Sequence, residues 1–273
     1  MHSQTIFHLV PKTPAAEAIL EEKPNTNFKS LSSSRLQPLN DGEDGPQLGL
    51  EVGYHVALVP RPDVIAEAGR RADIYLRGGS ISAVQFSFEI HTESRAIMFH
   101  DRSRLRNTNI KPFRFRTDGH LRQHVLQHGI EYVINTGGDR GELYEFELRW
   151  VQKEDAVQRA EQGYETAAAR VQDSRWARTV DDGPTELPSW YNTRLHTPAD
   201  GGVQRTTAGS ALGEGAYGKV SKAVDLDSGY SVAVKKVVLS KMKELAPEDR
   251  ENHVRREVKT LSSISHVCMS ISF

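Results

Sequence analysis

The chain has 273 residues, of which 26% are charged and 37% hydrophobic, and its formal net charge is −1. This length is typical of one or two domains, and a near-neutral charge without a strongly basic segment excludes nucleic-acid binding driven by bulk electrostatics. Cys268 is the single cysteine, which excludes an internal disulfide or a thiolate metal cage and is typical of a reducing compartment. No stretch approaches the ~18 apolar residues of a membrane span, so we expect a cytoplasmic or nuclear protein whose partners include neither membrane nor nucleic acid.

Residues 1–47 are predicted to form a disordered N-terminal arm. Serine, proline and acidic residues dominate its second half, and little apolar material is available to bury. The one apolar run, residues 6–10, is too short for the core of a signal peptide. We expect a solvated tail.

Residues 48–151 have the pattern of a succession of short strands. Polar and apolar residues alternate cleanly in residues 86–90 and 144–150, and the glycine pairs at 78–79 and 137–138 separate some of the strands. Many short strands without a long helix predict an all-β antiparallel sandwich, and a length of about 100 residues suits one domain.

Two polar residues of this segment have a recognisable setting. Gly69-Arg70 comes just before a predicted strand at 73–76, and Ser82 closes a Ser-Ile-Ser run after the first glycine pair. This layout resembles a forkhead-associated (FHA) domain, the β-sandwich that reads phosphothreonine. The resemblance implies that Arg70 and Ser82 contact the phosphate, through a forked pair of donors and a hydroxyl respectively. The implied partners are phosphothreonine-containing proteins.

The segment also departs from the FHA pattern. The family has a basic residue after the serine and a histidine three places on, where this chain has Ala83 and Gln85. The family's Ser-x-Asn-Gly-Thr-like loop is expected after Asp101, and residues 102–109 contain no glycine. The alternative to phosphothreonine recognition is a sandwich whose Arg70 merely faces solvent. Further arginines could build a replacement anion site: Arg71, Arg102, Arg104 and Arg106.

Residues 152–205 are predicted to form a helix followed by a linker. Apolar residues recur there at helical spacing, at Val157, Ala160, Tyr164, Ala168 and Val171. Two heptads are too few for a coiled coil. We expect a short amphipathic helix that packs on the sandwich, and then an extended tether rich in proline and glycine.

The last segment, residues 206–273, opens with a glycine-rich run. Gly213, Gly215 and Gly218 form a G-x-G-x-x-G pattern, in which the backbone can turn tightly and bring its N–H groups to phosphate oxygens. Dinucleotide-binding folds share the pattern, but they need a helix directly after the last glycine. Residues 219–224 are strand-like instead, which argues against dinucleotide binding. A glycine-rich hairpin that arises by chance is the remaining alternative.

A strand and a helix are predicted after this run. On the strand at 231–238, alternation puts Ala233 and Lys235 on one face, which suits an adenine ring and a pair of phosphates. Pro247 opens a helical pattern, and Glu257 sits beside its apolar stripe. The combined order of elements resembles the start of a protein kinase catalytic domain.

The kinase resemblance implies a nucleotide site with ATP and Mg²⁺ as cofactors. It implies that Lys235 holds the phosphates and that Glu257 holds Lys235 through an ion pair. The alternative for Glu257 is a solvated charged face shared with its basic neighbours. The other implied ATP contacts are Leu212, Gly213, Glu214, Gly215, Gly218, Val220 and Ala233.

Only the segment from Leu212 onward resembles a kinase catalytic domain, and it corresponds to about the first quarter of one. No catalytic loop and no D-F-G metal site follow Glu257, and His100-Asp101-Arg102 precedes the glycine run, so we interpret that tripeptide as coincidence. The predicted architecture is a multidomain chain: an FHA-like sandwich, then an incomplete α+β kinase small lobe. Such a small sheet is expected to be loosely ordered by itself.

Two functions follow from these resemblances. The first is a serine/threonine protein kinase coupled to an FHA-like module, of which these residues are a catalytically incompetent part, because the metal ligands and the base are missing. The second is a non-catalytic adaptor that binds phosphopeptides or proteins through the sandwich.

Overall fold

The computed structural model of the protein describes residues 4–34, 45–59, 61–113, 122–139, 143–151, 153–175, 206–215, 218–238, 242, 246, 249–250, 252–256 and 269–270. The chain divides into two compact units, residues 1–179 and 180–273. In the described part, no helix is both long enough and apolar enough to cross a membrane.

The first unit contains two β-sheets. The six-stranded sheet has the order β2-β3-β1-β11-β10-β8, and the five-stranded sheet has the order β5-β4-β6-β7-β9. All neighbours are antiparallel except β4 and β5, which are parallel. The first sheet comprises β1 (Phe7–Pro11), β2 (Lys29–Leu31), β3 (Leu48–Val52), β8 (Thr108–Pro112), β10 (Tyr132–Thr136) and β11 (Tyr144–Trp150). The second comprises β4 (Val64–Gly69), β5 (Ile74–Tyr75), β6 (Phe86–Ile90), β7 (Ile97–Asp101) and β9 (Gln123–Val125).

A single apolar core joins the two sheets, so this unit has the sandwich-type β fold that the sequence predicts. Phe7 on β1 packs edge-on against Phe88 on β6, with ring centroids 4.8 Å apart, and against Trp150 at 5.4 Å. Phe86 and Phe99 complete the aromatic cluster. All five side chains are at most 1% exposed, and such edge-on pairs add to the free energy gained by burial alone.

The prediction of a disordered arm at residues 1–47 is wrong for the residues described there. β1 lies in the interior of the six-stranded sheet and pairs with both β3 and β11. Its side chains Phe7 and Leu9 are fully buried. The error arose because five apolar residues are too few for a signal peptide yet suffice for a central strand, whose partners lie far along the sequence.

Other described parts of the N-terminal segment also belong to this unit: β2 forms the edge of the sheet, and a short helix contacts β1 and β11. Helix α1 (Pro14–Ile19) begins at Thr13, whose hydroxyl accepts a hydrogen bond from the N–H of Ala16. Arg149 on β11 is 1% exposed and donates to Glu147 at 2.7 Å and to the carbonyl oxygen of Gly45 at 2.7 Å. These bonds fasten residues 45–47 to the sheet.

The predicted helix is present as α2 (Lys153–Arg175) and packs on the sandwich. Its buried side chains are Ala156, Ala160 and Ala167, whereas Val157 is 47% exposed. Of the predicted stripe, Ala160 is buried and Tyr164 packs against the core, but Ala156 is buried in place of Val157. The side chain of Val171 lies outside the described residues. At Gly163 a Cβ would lie 2.1 Å from the ring of Tyr54. The predicted tether, residues 176–205, lies outside the described residues.

The second unit is a four-stranded sheet in the order β12-β13-β14-β15. Its strands are β12 (Thr206–Gly215), β13 (Gly218–Asp225), β14 (Ser231–Val237) and β15 (Met269–Ser270), the last being parallel to β14. The turn between β13 and β14 is organised by Asp225, whose carboxylate accepts N–H bonds from Asp227 and Ser228, and by Gly229 in a left-handed conformation. Residues 249–250 and 252–256 are helical.

Candidate phosphate-binding sites

The glycine-rich run forms the end of a hairpin in the second unit. β12 and β13 pair as far as Gly215 and Gly218. No side chain fits at Gly218 without movement, because a Cβ there would lie 2.2 Å from the carbonyl oxygen of Lys236. A Cβ at Gly213 would meet nothing within 4 Å, so the backbone there is open to the approach of a ligand.

Three of the predicted ATP contacts form one row across β12, β13 and β14. Gly213 lies opposite Val220 on β13, and Val220 lies opposite Lys235 on β14. Directly opposed residues of antiparallel strands project their side chains from the same face. Ala233 is two residues from Lys235 and shares that face, whereas Lys236 belongs to the other face.

The remaining predicted contacts are distributed around that row. Gly215 and Gly218 lie opposite each other at the end of the hairpin, and Leu212 is 59% exposed. Glu214 lies opposite Lys219, whose row belongs to the face opposite Lys235. Only its backbone could therefore contribute on the Lys235 side.

Glu257 and Met269 are the two residues for which the sequence prediction and the described structure do not overlap. Glu257 lies outside the described residues, so its ion pair with Lys235 stays a prediction. Met269 on β15 lies opposite Ala233, a neighbour that the sequence analysis did not include. Two strand residues near the end of the sequence offer too short a pattern to be recognised.

At one end of the sandwich, three connections meet at Ser82. The N–H of Arg70 donates to the carbonyl oxygen of Ser82 at 3.0 Å, and the N–H of Arg71 donates to that of Ala83 at 2.9 Å. The N–H of Arg104, from the β7–β8 connection, donates to the Ser82 hydroxyl oxygen at 3.0 Å. The structure thus brings the predicted pair Arg70 and Ser82 together with Arg104, one of the arginines predicted for a replacement anion site. The Ser82 hydroxyl proton can be donated to an anion.

Gln85 occupies the position where the FHA pattern has histidine, and it is fully buried. Its carbonyl oxygen accepts the N–H of Ser82 at 2.7 Å. Its amide nitrogen donates to Asn107 at 2.7 Å, Thr108 at 2.8 Å and Thr136 at 3.0 Å. This departure therefore leaves no gap behind Ser82: the glutamine anchors it to two other strands.

Asn107 fixes the loop that lacks the expected glycine. Its amide donates to the carbonyl oxygens of Ser80 at 3.2 Å and Gly138 at 2.8 Å. Its own N–H donates to the hydroxyl of Ser103 at 3.1 Å. Asn107 thus ties together three connections at the same end of the sandwich, and neither Gln85 nor Asn107 was singled out from the sequence as a functional residue.

Arg102 does not belong to this site. It donates to Glu89 at 2.5 Å and to the hydroxyl of Ser87 at 3.2 Å. Burial raises the pKa of Glu89, but the hydrogen bonds from Ser87 and Arg102 and the charge of His100 outweigh it and hold that pKa below its usual value. The His100-Asp101-Arg102 tripeptide accordingly has a place in the sandwich and is not a displaced catalytic loop.

Comparison with curated proteins shows a short sequence similarity to a kinase. NUAK family SNF1-like kinase 1 of Homo sapiens is 42% identical over 55 residues, which make up 20% of this chain. The chain spans only 8% of the length of that relative. Part of this chain is similar in sequence to a protein kinase. No protein-family model matches the chain.

Comparison with solved structures finds a distant likeness. The crystal structure of Rad53 1–466 in complex with AMP-PNP aligns with 97% of this chain and 51% of that chain, at 14% identity and a TM-score of 0.40. At that score the two chains do not share a demonstrated overall fold.

Proposed function

We propose that the second unit binds ATP in the manner of the small lobe of a serine/threonine protein kinase. The observation that carries this proposal is the row of Gly213, Val220 and Lys235 on one face of the three strands β12, β13 and β14. The row aligns an open backbone, an apolar side chain and a cation, which are the groups that a nucleotide's phosphates and base require. The short similarity to a kinase supports the same conclusion.

Each of these residues has a distinct task in the proposal. Lys235 neutralises phosphate oxygens as a compact point charge, and the N–H groups of the glycine run donate to the same phosphates. Val220 and Ala233 contact the adenine ring from the same face. Glu257 forms an ion pair with Lys235 and keeps its ammonium group on the phosphates.

Mg²⁺ would enter this site with the nucleotide. Among the residues the structure describes, no group of three or more His, Cys, Asp or Glu side chains could hold a metal ion. The described residues therefore do not fit a resident Mg²⁺, and we assign its binding to the phosphate oxygens of ATP.

We further propose that these 273 residues bind ATP without transferring its phosphate. Phosphoryl transfer needs a catalytic-loop base and a metal-holding aspartate, and neither motif follows Lys235 in the sequence. Incubation with radiolabelled ATP is expected to give no turnover. Turnover that disappears in Lys235→Ala would overturn this part of the proposal.

Titration of the full chain with a fluorescent ATP analogue tests nucleotide binding. Lys235→Met removes the cation and is expected to weaken binding about tenfold or more, because a charge-assisted contact to phosphate is lost. Lys236→Met, on the opposite face of the same strand, is the matched control and is expected to bind as the unmodified chain does. Equal loss in both variants, or no loss in either, would contradict the proposal.

A second candidate function concerns the sandwich: we propose that it binds phosphothreonine in a partner protein. The supporting observation is that Ser82, half-buried and fixed through Gln85, lies hydrogen-bonded between Arg70 and Arg104. A hydroxyl beside an arginine suits a phosphate, because the Ser82 hydroxyl and the Arg70 guanidinium can each donate to its oxygens. Arg104 contributes only its backbone N–H here, which holds the Ser82 hydroxyl oxygen.

Binding of a phosphothreonine peptide to the full chain, measured by calorimetry, tests this second function. Arg70→Gln and Ser82→Ala are each expected to weaken binding about tenfold or more. Arg61, which lies near the other end of β4 and pairs with Glu67 at 2.8 Å, supplies the matched control Arg61→Gln. No binding above that of the unphosphorylated peptide would remove this function.

A further inference from the structure

Four arginines lie on the two connections that bond to Ser82 and Ala83, which is more positive charge than one phosphate requires. Arg70 and Arg71 follow β4, and Arg104 and Arg106 belong to the β7–β8 connection; all four are exposed. In the part of the chain that the structure describes, none of the four forms an ion pair with a carboxylate.

The carboxylates nearest to these arginines along the chain, Glu67, Asp73 and Asp101, are engaged elsewhere, and so is Glu89. Asp73 accepts the N–H groups of Leu58 and Glu67, and Glu67 pairs with Arg61 at 2.8 Å. Glu89 binds Arg102 at 2.5 Å. Asp101 is 8% exposed, and its carboxylate accepts the N–H of Ser103 at 2.8 Å. None of these carboxylates pairs with Arg70, Arg71, Arg104 or Arg106, so among the residues that the structure describes these four positive charges are not neutralised by an ion pair.

We infer that the ligand of this site is a peptide with two anionic groups, one at Ser82 and Arg70 and the second on the side of Arg104 and Arg106. A phosphothreonine carries a charge of about −1.5 to −2 at neutral pH, so four arginines match two phosphates, or a phosphate beside acidic side chains. The inference rests on the proposed phosphothreonine-binding function and adds the class of ligand.

The connection that carries the second pair of arginines is fixed before any ligand binds. Arg104 is tied to Ser82 through its N–H, and the loop closes through the bond from Asn107 to Ser103. Arg106 is held at a φ of 53°, a left-handed conformation that residues other than glycine rarely adopt. A loop fixed in this way loses little conformational freedom when an anion binds.

Leu105 favours a peptide over other polyanions. Its side chain is 63% exposed and stands in sequence between Arg104 and Arg106. An exposed aliphatic side chain flanked by cations gives an apolar contact for a ligand side chain, which an inorganic polyphosphate does not offer. A lipid surface offers one too, and the test therefore includes vesicles. The net charge of −1 for the whole chain also argues against a general polyanion binder.

The test is calorimetry on the full chain with synthetic peptides of one length. One peptide carries a single phosphothreonine among alanines, and the others add a second phosphothreonine at each position up to about four residues away on either side. The best doubly phosphorylated peptide is expected to bind about tenfold tighter or more than the single one. The difference should shrink as the salt concentration rises, because the contacts are exposed.

The variant that combines Arg104→Gln and Arg106→Gln is expected to lose this preference. Its affinity for the singly phosphorylated peptide should stay within about threefold, since Arg104 contacts Ser82 through the backbone N–H, which glutamine retains. Arg61→Gln, at the other end of β4, is the matched control and should keep the preference. Circular dichroism and a thermal melt show whether the double variant folds, and a folded variant that keeps the preference overturns the inference.

The outcomes separate this inference from the function on which it rests. Equal binding of singly and doubly phosphorylated peptides to the unmodified chain overturns the inference and leaves phosphothreonine binding intact. No binding of any phosphopeptide removes the proposed function itself. Binding to vesicles that contain a phosphatidylinositol phosphate, with no binding to the peptides, assigns the arginines to a lipid surface and overturns both.

Discussion

The two units hold their candidate phosphate-binding residues by different means. In the sandwich, Ser82 is fixed by Gln85, whose amide donates to Thr108 and Thr136 on two other strands. In the second unit, Lys235 is placed by the local pairing of one hairpin. A site on the loops of a sandwich therefore depends on a buried hydrogen-bond network that no local sequence pattern reveals. A site on neighbouring strands can be predicted from the order of residues along the chain.

The strands that carry the two sites also differ in how completely their side chains are buried. The strands of the sandwich bury their core-facing side chains completely, as at Phe88 and Phe146. No residue of β14 is fully buried among those the structure describes. Sheets of so few strands are marginal without further packing, so the second unit should open more readily than the sandwich.

Truncation of one apolar side chain in each unit gives the largest expected contrast. Phe88→Ala should lower the free energy of unfolding of the sandwich by about 3–5 kcal/mol, because a fully buried ring in contact with Phe7 and Phe99 is lost and a cavity remains. Val234→Ala, at a half-buried position of β14, should cost less than about 1 kcal/mol. Urea denaturation of the full chain, followed by circular dichroism, measures both.

Hydrogen exchange locates these effects. In the unmodified chain the amides of residues 86–90 should exchange much more slowly than those of residues 231–237. Phe88→Leu, which keeps most of the apolar volume, is the conservative control and should lose only about 1 kcal/mol. Equal losses for the two alanine variants, or strong protection across residues 231–237, would show that the units are packed alike.

Acid should weaken the sandwich through His8. Burial lowers the pKa of this fully buried histidine from 6.5 to about 4, although the charge of Glu51 acts in the opposite direction. Between those two values the unfolded chain binds more protons than the folded one, so the free energy of unfolding falls as the pH is lowered from about 6.5 toward 4. The full loss is about 3 kcal/mol.

Urea denaturation at several pH values checks the sign and the size of this effect. Glu51 and His55 face His8 and titrate as well, so the control is His8→Gln measured over the same range. The variant should lose most of the slope between pH 4 and 6.5, whatever its stability at neutral pH. An unchanged slope would mean that other groups carry the dependence.

Removing the buried amide that anchors Ser82 should affect stability and binding together. Gln85→Ala leaves the buried oxygen of Asn107 and the N–H of Ser82 without their partner, which should cost about 2–3 kcal/mol of unfolding free energy. Phosphothreonine peptide binding should fall with it, because Ser82 is no longer fixed. Gln123→Ala, at an exposed position of β9, is the matched control, and retention of full peptide affinity in a folded Gln85→Ala variant would separate the network from the site.

Much of the sandwich could be predicted from the sequence, and the reason is periodicity. Residues 86–90 and 144–150 alternate with a period of two, and they form β6 and β11. β1 was missed because a central strand flanked by polar residues is recognisable only through its partners β3 and β11, which are distant in sequence. Pairing over such distances leaves no trace in local composition.

The sites could be predicted only as far as their residues have fixed spacing. The glycine run and Lys235 follow each other in a set order along the three successive strands β12, β13 and β14. The face that alternation assigned to Lys235 agrees with the strand register. Arg70 and Ser82 were found by resemblance, but their neighbour Arg104 comes from a connection that matches no pattern. The position of Arg104 depends on Gln85 and Asn107. In the sequence alone, these two polar side chains cannot be distinguished from solvent-exposed loop residues.

Two glycines of the hairpin give the smallest expected effects and the sharpest separation of structure from binding. Gly218→Ala should destabilise the hairpin by about 1–2 kcal/mol, because the added Cβ would lie 2.2 Å from the carbonyl oxygen of Lys236. Gly213→Ala meets open space and should change the free energy of unfolding by less than about 0.5 kcal/mol. It should nevertheless weaken the binding of the ATP analogue, since the methyl group occupies the approach to the backbone. A Gly213→Ala variant that binds the analogue normally would mean that the row through Val220 and Lys235 does not face the nucleotide.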